Sequence, residues 1–301
     1  NKGAVCHQEG EEMSGKKSVK RKDGSFRRVM RQLLKNKAAT AGIIIFIAEI
    51  ILAVLAPLVA PYDPNEMDII HKLQGPSIQH LMGTDDLGRD LFSRVLYGAR
   101  YSLGMGICAT ALGSLAGMII GSVCGYFGGK VDYLVMRFLD IVQAIPGTLL
   151  VIVVAAVLGT GFIETVVALS ISGIAGAARL LRASMLNVRQ LEYIEASHSI
   201  NCSKMRIILH HLLPNSFSPM IVSMTMGIAS TIVAAAALSF VGLGVQPPTP
   251  EWGSILNTGR NFMREHAYYM LAPGLAIMVT VLSLNMFGDG LRDALDPKLK
   301  N

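Results

Sequence analysis

The stretch from Tyr101 to Gly129, YSLGMGICATALGSLAGMIIGSVCGYFGG, has no charged residue between Arg100 and Lys130. A helix rising about 1.5 Å per residue crosses roughly 30 Å of hydrocarbon in about 20 apolar residues, so this run suffices for one span. The rest of the chain agrees with it. Of 301 residues, 51% are hydrophobic and 16% charged, against roughly 25% charged in an ordinary soluble domain. Too little charge remains to coat a soluble surface, and the apolar content excludes disorder. The four cysteines, Cys6, Cys108, Cys124 and Cys202, form no CxxC pair and no disulfide framework. The composition is that of an integral membrane protein.

Working outward, Ala38 to Pro61 is apolar except for Glu49 and predicts a first anchor helix over 38–61. It is too long for the apolar core of a cleaved signal peptide. Ile141 to Ile163 predicts a third span beginning near Val131, and 162–181 a short fourth. Leu212 to Pro250 predicts a fifth span plus a re-entrant or amphipathic piece, and Ala267 to Gly288 a sixth. Lys/Arg asymmetry sets orientation. Residues 1–37 hold eleven Lys/Arg and four acids, a cytoplasmic tail with Met13 as a natural start and 1–12 as an upstream extension. The external loop 62–100 holds six acids and four basic residues. The core then runs over 101–291, with a basic loop at about 190–214, and a second cytoplasmic tail at 292–301. The basic tail lacks interleaved aromatics and precedes a span directly, so it points to a membrane rather than to nucleic acid.

Gly113, Gly117, Gly121 and Gly125 recur every four residues and make one bare helix stripe that lets a second helix approach closely. Such packing serves polytopic proteins of every function. Glu49, Arg137, Asp140, Asn285 and Asp289 are polar groups at membrane depth; Arg137 and Asp140 share a helix face and can pair. No relay of carboxylates and histidines runs through the spans, which argues against proton-coupled transport. The seven histidines lie in tails and loops without ligand spacing, so no metal site is assigned. Near Gly129-Lys130 a phosphate-binding loop fails, because Val131 follows the lysine and Cys124 stands where the first glycine belongs. Neither a nucleophile elbow nor HExxH is present. No catalytic residue is assigned, and the chain itself is not expected to hydrolyse ATP.

The basic loop reads E-Y-I-E-A-S-H-S-I-N-C-S-K-M-R-I-I-L-H-H-L-L-P-N-S-F-S-P over Glu192 to Pro219. Leu191 to Ile200 predicts a short amphipathic helix, and Asn201 can end it because asparagine tolerates a left-handed conformation. Ser203 is the expected cap of a second helix through Met205, Ile207, Ile208, Leu209 and Leu212. Pro214 stops that helix or turns it into the next span. Two short helices at an angle can dock into a groove on a soluble partner and transmit a rigid-body push.

This loop resembles the EAA loop of ABC-importer permeases, in which E-A-A is followed after three residues by Gly and after nine more by Ile-x-Leu-Pro. Glu195-Ala196-Ser197 stands for E-A-A, Asn201 for the glycine, His211 for the isoleucine, and Leu213-Pro214 closes the pattern. HLMGTDDLGRDLFSRVLYGARYSL from His80, GYFGG from Gly125, MRFLD from Met136, LSFVGLGVQPPTPEWG from Leu238 and GDGLRDALDPKL from Gly288 are similar to the C-type subunit of dipeptide/oligopeptide/nickel permeases. Ala235 is apolar where family members often carry an acid. The resemblance implies an all-α membrane protein: six transmembrane helices of the type I ABC importer permease with a two-helix cytoplasmic coupling loop, in the bacterial plasma membrane. It further implies a pore subunit that imports peptides or a related solute such as a nickel chelate by alternating access. The implied partners are a homologous second permease, two ATPase subunits that hold the ATP and Mg, an extracellular solute-binding protein and membrane lipid. No cofactor is implied on this chain. Glu195, Ala196, Ser197, Asn201, Leu213 and Pro214 would then form the coupling element. Asp85, Asp86, Arg89, Asp90 and Trp252 are expected to shape an external gate, to touch the binding protein, or to fold as a structural rim. A self-sufficient channel or secondary transporter is the alternative; it would need intramembrane ion ligands or inverted repeats, and no internal repeat is visible.

Overall fold

A computed structural model describes residues 25–295. The first 24 residues of the basic tail, the proposed extension 1–12 among them, and the end of the C-terminal tail at 296–301 lie outside the described residues. The helices, in chain order, are α1 (Ser25–Lys35), α2 (Lys37–Val54), α3 (Ala56–Val59), α4 (Leu91–Phe127), α5 (Gly129–Ala144), α6 (Gly147–Leu158), α7 (Phe162–Arg189), α8 (Glu192–Ser199), α9 (Lys204–Arg206), α10 (Leu213–Ser216), α11 (Ser218–Phe240), α12 (Trp252–Gly259) and α13 (Tyr268–Leu295). A π turn, Ile207–Leu212, joins α9 to α10. Among the described residues β pairing is confined to one bridge between Thr84 and Asp90.

Five helices, α2, α4, α7, α11 and α13, are long and apolar enough to cross a membrane, and α5 with α6 makes a sixth if the pair is one span. That pair is bent by 87°, where the composition predicts a continuous helix. Pro146 is the reason. It has no N–H to give the ladder and disfavours helical backbone in the residue before it, and Ile145 is extended at ψ 126°.

Another boundary also moves. α4 begins at Leu91, ten residues inside the expected loop 62–100, because Asp90 caps it by accepting the Ser93 N–H at 2.7 Å. Arg94 does not break the helix; its guanidinium donates to the Pro64 carbonyl at 2.8 Å and lies 3.5 Å from Asp85.

The four-residue glycine stripe faces α7. A Cβ at Gly113 would stand 2.6 Å from the Ser170 carbonyl, at Gly117 2.5 Å from Ala177 Cβ, at Gly121 2.5 Å from the Ala178 carbonyl and at Gly125 3.0 Å from Met185 Cβ. The two backbones approach as closely as they do only because α4 has no side chains there. Around this pair α11 packs on α4 and α13, and α2 packs on α13. Met105, Ala109, Val166, Leu169 and Ala235 form one core between α4, α7 and α11. Glu49 lies half-buried on α2 beside Thr280 of α13, with one carboxylate oxygen lacking a hydrogen-bond partner.

Adding a side chain to this seam has a direct cost, since overpacking a filled interface is worth about 1–3 kcal/mol. Gly117→Val lowers the thermal midpoint of the detergent-solubilised protein by several degrees, followed by fluorescence-detected size exclusion. Gly173→Ala, where no atom lies within 4 Å of the new methyl, leaves it unchanged.

Candidate coupling site

The loop after α7 is a packed body. α8 follows α7 after Gln190 and Leu191, and its buried Ile194 enters a core with Leu181 and Met185 of α7, Tyr126 of α4 and Ile207, Ile208 and Leu212 of the π turn. The amphipathic pattern of 191–200 is met only in part: of its apolar residues Ile194 turns in, while Leu191 and Ile200 are 46% and 75% exposed. Asn201 takes φ 54°, the left-handed turn that ends α8, and Cys202 N–H then donates to the Ser197 carbonyl at 3.1 Å. Ser203 occupies the cap position of α9 in extended conformation, without a side-chain bond to the helix.

Pro214 turns the chain rather than stopping it. The backbone stays helical through Leu212 and Leu213, and the π turn sits immediately upstream of the proline. Widening the ladder, with Leu213 N–H bonding back to the Ile208 carbonyl, makes room for a ring that would otherwise press on the preceding turn. Asn215 Nδ2 then donates to the His211 carbonyl at 2.6 Å, covering an acceptor near the break. His211 packs near the Tyr193 ring, with centroids 6.5 Å apart, so a polar ring here finds an aromatic neighbour.

The residues of the E-A-A pattern divide by face. Glu195 and Ala196 are exposed, whereas Ser197 is buried and its hydroxyl donates to the Tyr193 carbonyl at 2.7 Å. Asn201 and Pro214 are exposed and Leu213 is half-buried. Around the outward face lie uncovered apolar side chains: Ile200 at 75%, Met205 at 63% and Leu209 at 49% exposure. A packed base thus presents exposed apolar side chains together with charges of both signs, Glu192 and Glu195 beside Lys204 and Arg206.

Three contacts that sequence spacing does not announce tie this end together. Arg182 of α7 holds Asp132 of α5 in a bidentate pair, Arg179 of α7 bonds Asp140 of α5 at 2.8 Å, and Arg189 donates to the Tyr126 carbonyl at 3.1 Å. Arg137 and Asp140 do approach, at 3.6 Å, but Arg179 is the closer partner. Asp132 and Arg182 are fifty positions apart; the only hint is that both flank apolar runs ending on the same side.

At the opposite end the candidate gate residues turn inward. Asp85 accepts from the Leu87 and Arg89 amides at 2.9 and 2.8 Å and from Arg89 Nε at 2.6 Å. Asp90 meets His80 Nδ1 at 3.0 Å, and Tyr269 Oη donates to Asp86 at 2.9 Å. Trp252 donates through Nε1 to the Val95 carbonyl at 2.9 Å. Next to it Glu251, fully buried, accepts from Ser102 and from the Gly253 and Ser254 amides, capping α12; burial pushes its carboxyl above the ordinary range against those bonds. Asp85, Arg89, Asp90 and Trp252 are all within 3% of complete burial. Only Asp86 shows a quarter of its side chain. Each of the four finds its partner within the chain, Asp85 in Arg89, Asp90 in His80 and the Ser93 amide, and Trp252 in the Val95 carbonyl.

Known proteins match this architecture closely. Residues 117–301 fit the family described as binding-protein-dependent transport system inner membrane component, and 25–76 fit the N-terminal TM domain of oligopeptide transport permease C. The chain is 43% identical over 276 residues to the dipeptide transport system permease protein DppC of Alkalihalophilus pseudofirmus, covering 92% of this chain and 91% of that one. It is 46% identical over 276 residues to the glutathione transport system permease protein GsiD of Escherichia coli, covering 91% and 90%. In fold it is similar to a chain of the inward-facing methionine ABC transporter MetNI, with TM-score 0.56 at 19% identity over 67% of this chain and 96% of that one. A chain of an amino acid ABC transporter solved with histidines aligns at TM-score 0.51 and 13% identity, over 66% and 92%. With its helical bundle, its packed loop after α7 and these relatives, the chain belongs to the binding-protein-dependent transport system inner membrane component family: it is a membrane-embedded permease subunit of an ABC importer, not an enzyme.

Proposed function

We propose that this permease imports di- or oligopeptides, or a related small solute, by alternating access, and that α8 to α10 form the element through which ATPase subunits drive it. The observation that carries the reading is the two-sided loop. Its inner face is locked to α4 and α7 by Ile194, Ile207 and Leu212, and its outer face offers Glu195, Ala196, Ile200 and Met205 uncovered. Moving a two-state equilibrium from about 1:99 to 99:1 takes roughly 5.5 kcal/mol of differential stabilisation. A loose loop would dissipate a push of that size, whereas one packed onto two long helices passes it on.

The loop, both chain termini and the ion pairs of α5 with α7 face the cytoplasm in this reading, which the basic residues at that end support. Two ATPase subunits, holding ATP and Mg, seat beneath. A homologous second permease completes the pore, and a solute-binding protein delivers cargo outside. The dipeptide and glutathione names of the relatives support a peptide cargo. Trp252 joins α12 to Val95 of α4, Asp86 joins the loop to Tyr269 of α13, and with Asp85, Arg89 and Asp90 buried the partly exposed Asp86 is the one of these acids left open to a delivered partner.

Glu195→Lys and Ala196→Pro each reduce labelled dipeptide uptake to background while the protein reaches the membrane at normal levels by immunoblot. A proline inside α8 costs about 3 kcal/mol, more than roughly a hundredfold in an equilibrium. Wild-type uptake in either strain overturns the coupling role. The α5–α7 pair is tested by charge reversal: Asp132→Arg and Arg182→Glu each cut uptake severalfold, and the double reversal recovers a large part of it. No recovery means the two charges act through other partners.

A further inference from the structure

α1 is the element that the transport reading leaves without a task. From Ser25 to Lys37 the sequence holds five basic residues and no acid. One side of α1 is already used: Leu33, nearly fully buried, packs with Ala39 of α2 and Leu291 of α13. The neighbouring stripe is not. Leu34 is 58% exposed and Met30, one turn earlier, 39%. Beside them Arg31, Lys35 and Lys37 are exposed, and among the described residues Lys35 and Lys37 have no ion-pair partner. Asn36 breaks the helix in extended conformation and caps α2 through the Ala38 and Ala39 amides, so α1 does not continue the axis of the span. The outer face of α2 just beyond carries exposed Ile44, Ile47 and Ile51.

We infer that α1 and the start of α2 form a binding site for an anionic phospholipid, with Lys35 and Lys37 on the phosphate headgroup and Met30 and Leu34 against the acyl chains. The depth is right, because α1 ends where the apolar span starts, at the level of the headgroups. The chemistry is right as well. Lysine reaches the interface while its methylene stem stays on apolar surface, and basic residues flanking a span are attracted to anionic lipid. Asp289 and Asp293 are exposed on the neighbouring end of α13, and they leave this end of the molecule net positive when counted with the five basic residues and Arg292. The apolar stripe beside the charges selects a lipid over a free phosphate.

The test uses the assembled transporter in detergent, titrated with phosphatidylglycerol or phosphatidylcholine, with bound lipid counted by native mass spectrometry. The Lys35→Gln/Lys37→Gln variant weakens phosphatidylglycerol binding by about thirtyfold and leaves phosphatidylcholine unchanged. Leu34→Ser weakens both lipids. Inorganic phosphate does not displace bound phosphatidylglycerol. Equal phosphatidylglycerol binding in wild type and the double variant overturns the site, as does a double variant that instead loses its ATPase subunits. The readout is lipid rather than uptake, so it stands whether or not the cargo is a peptide.

Discussion

The close approach of α4 to α7 is the contact on which the other features hang. A stripe without side chains brings two backbones together along a little over three turns, from Gly113 beside Ser170 to Gly125 beside Met185. In hydrocarbon no hydrophobic drive pushes helices together, so association rests on van der Waals fit, and fit of this kind requires glycine. The seam ends where Met185 and Tyr126 open into the core beneath α8 and the π turn. The loop is therefore packed as a continuation of the α4–α7 seam.

Charge is handled differently at the two ends. Around the loop, the α5–α7 pairs are partly exposed, with Arg182 and Asp132 at 31% and 16% and Arg179 and Asp140 at 42% and 46%. Pairs of that kind are weak singly and break and re-form at small cost, which suits helices that change position. At the far end the acids are buried, Asp85 paired with Arg89, Asp90 with His80, and Glu251 held by Ser102 and two backbone amides, where losing one partner would strand another. One end of the bundle is built to shift and the other to hold.

The break between α5 and α6 belongs to the same picture. An 87° bend at Pro146 opens a cleft of about 260 Å³ lined by Gln143, Gly147, Ser172 and Ala175, between the bent pair and α7. Of its polar side chains Gln143 lies on α5 and Ser172 on α7, the two helices joined by the ion pairs.

Span number, the helical class, the two-helix loop and its left-handed Asn201 were all legible along the chain, because each depends on neighbours a few positions away: apolar run length, amphipathic period and the one side chain that tolerates positive φ. Local composition could not reveal the start of α4, where Arg94 lies against Asp85 and donates to the Pro64 carbonyl of a folded-back segment, nor the inward turn of Asp90 and Trp252. It was equally silent on Arg182 meeting Asp132. Periodicity reports which residues share a face of one element; it carries nothing about which faces of distant elements meet, and for charged groups that meeting decides whether a side chain greets a partner, a lipid or another buried charge.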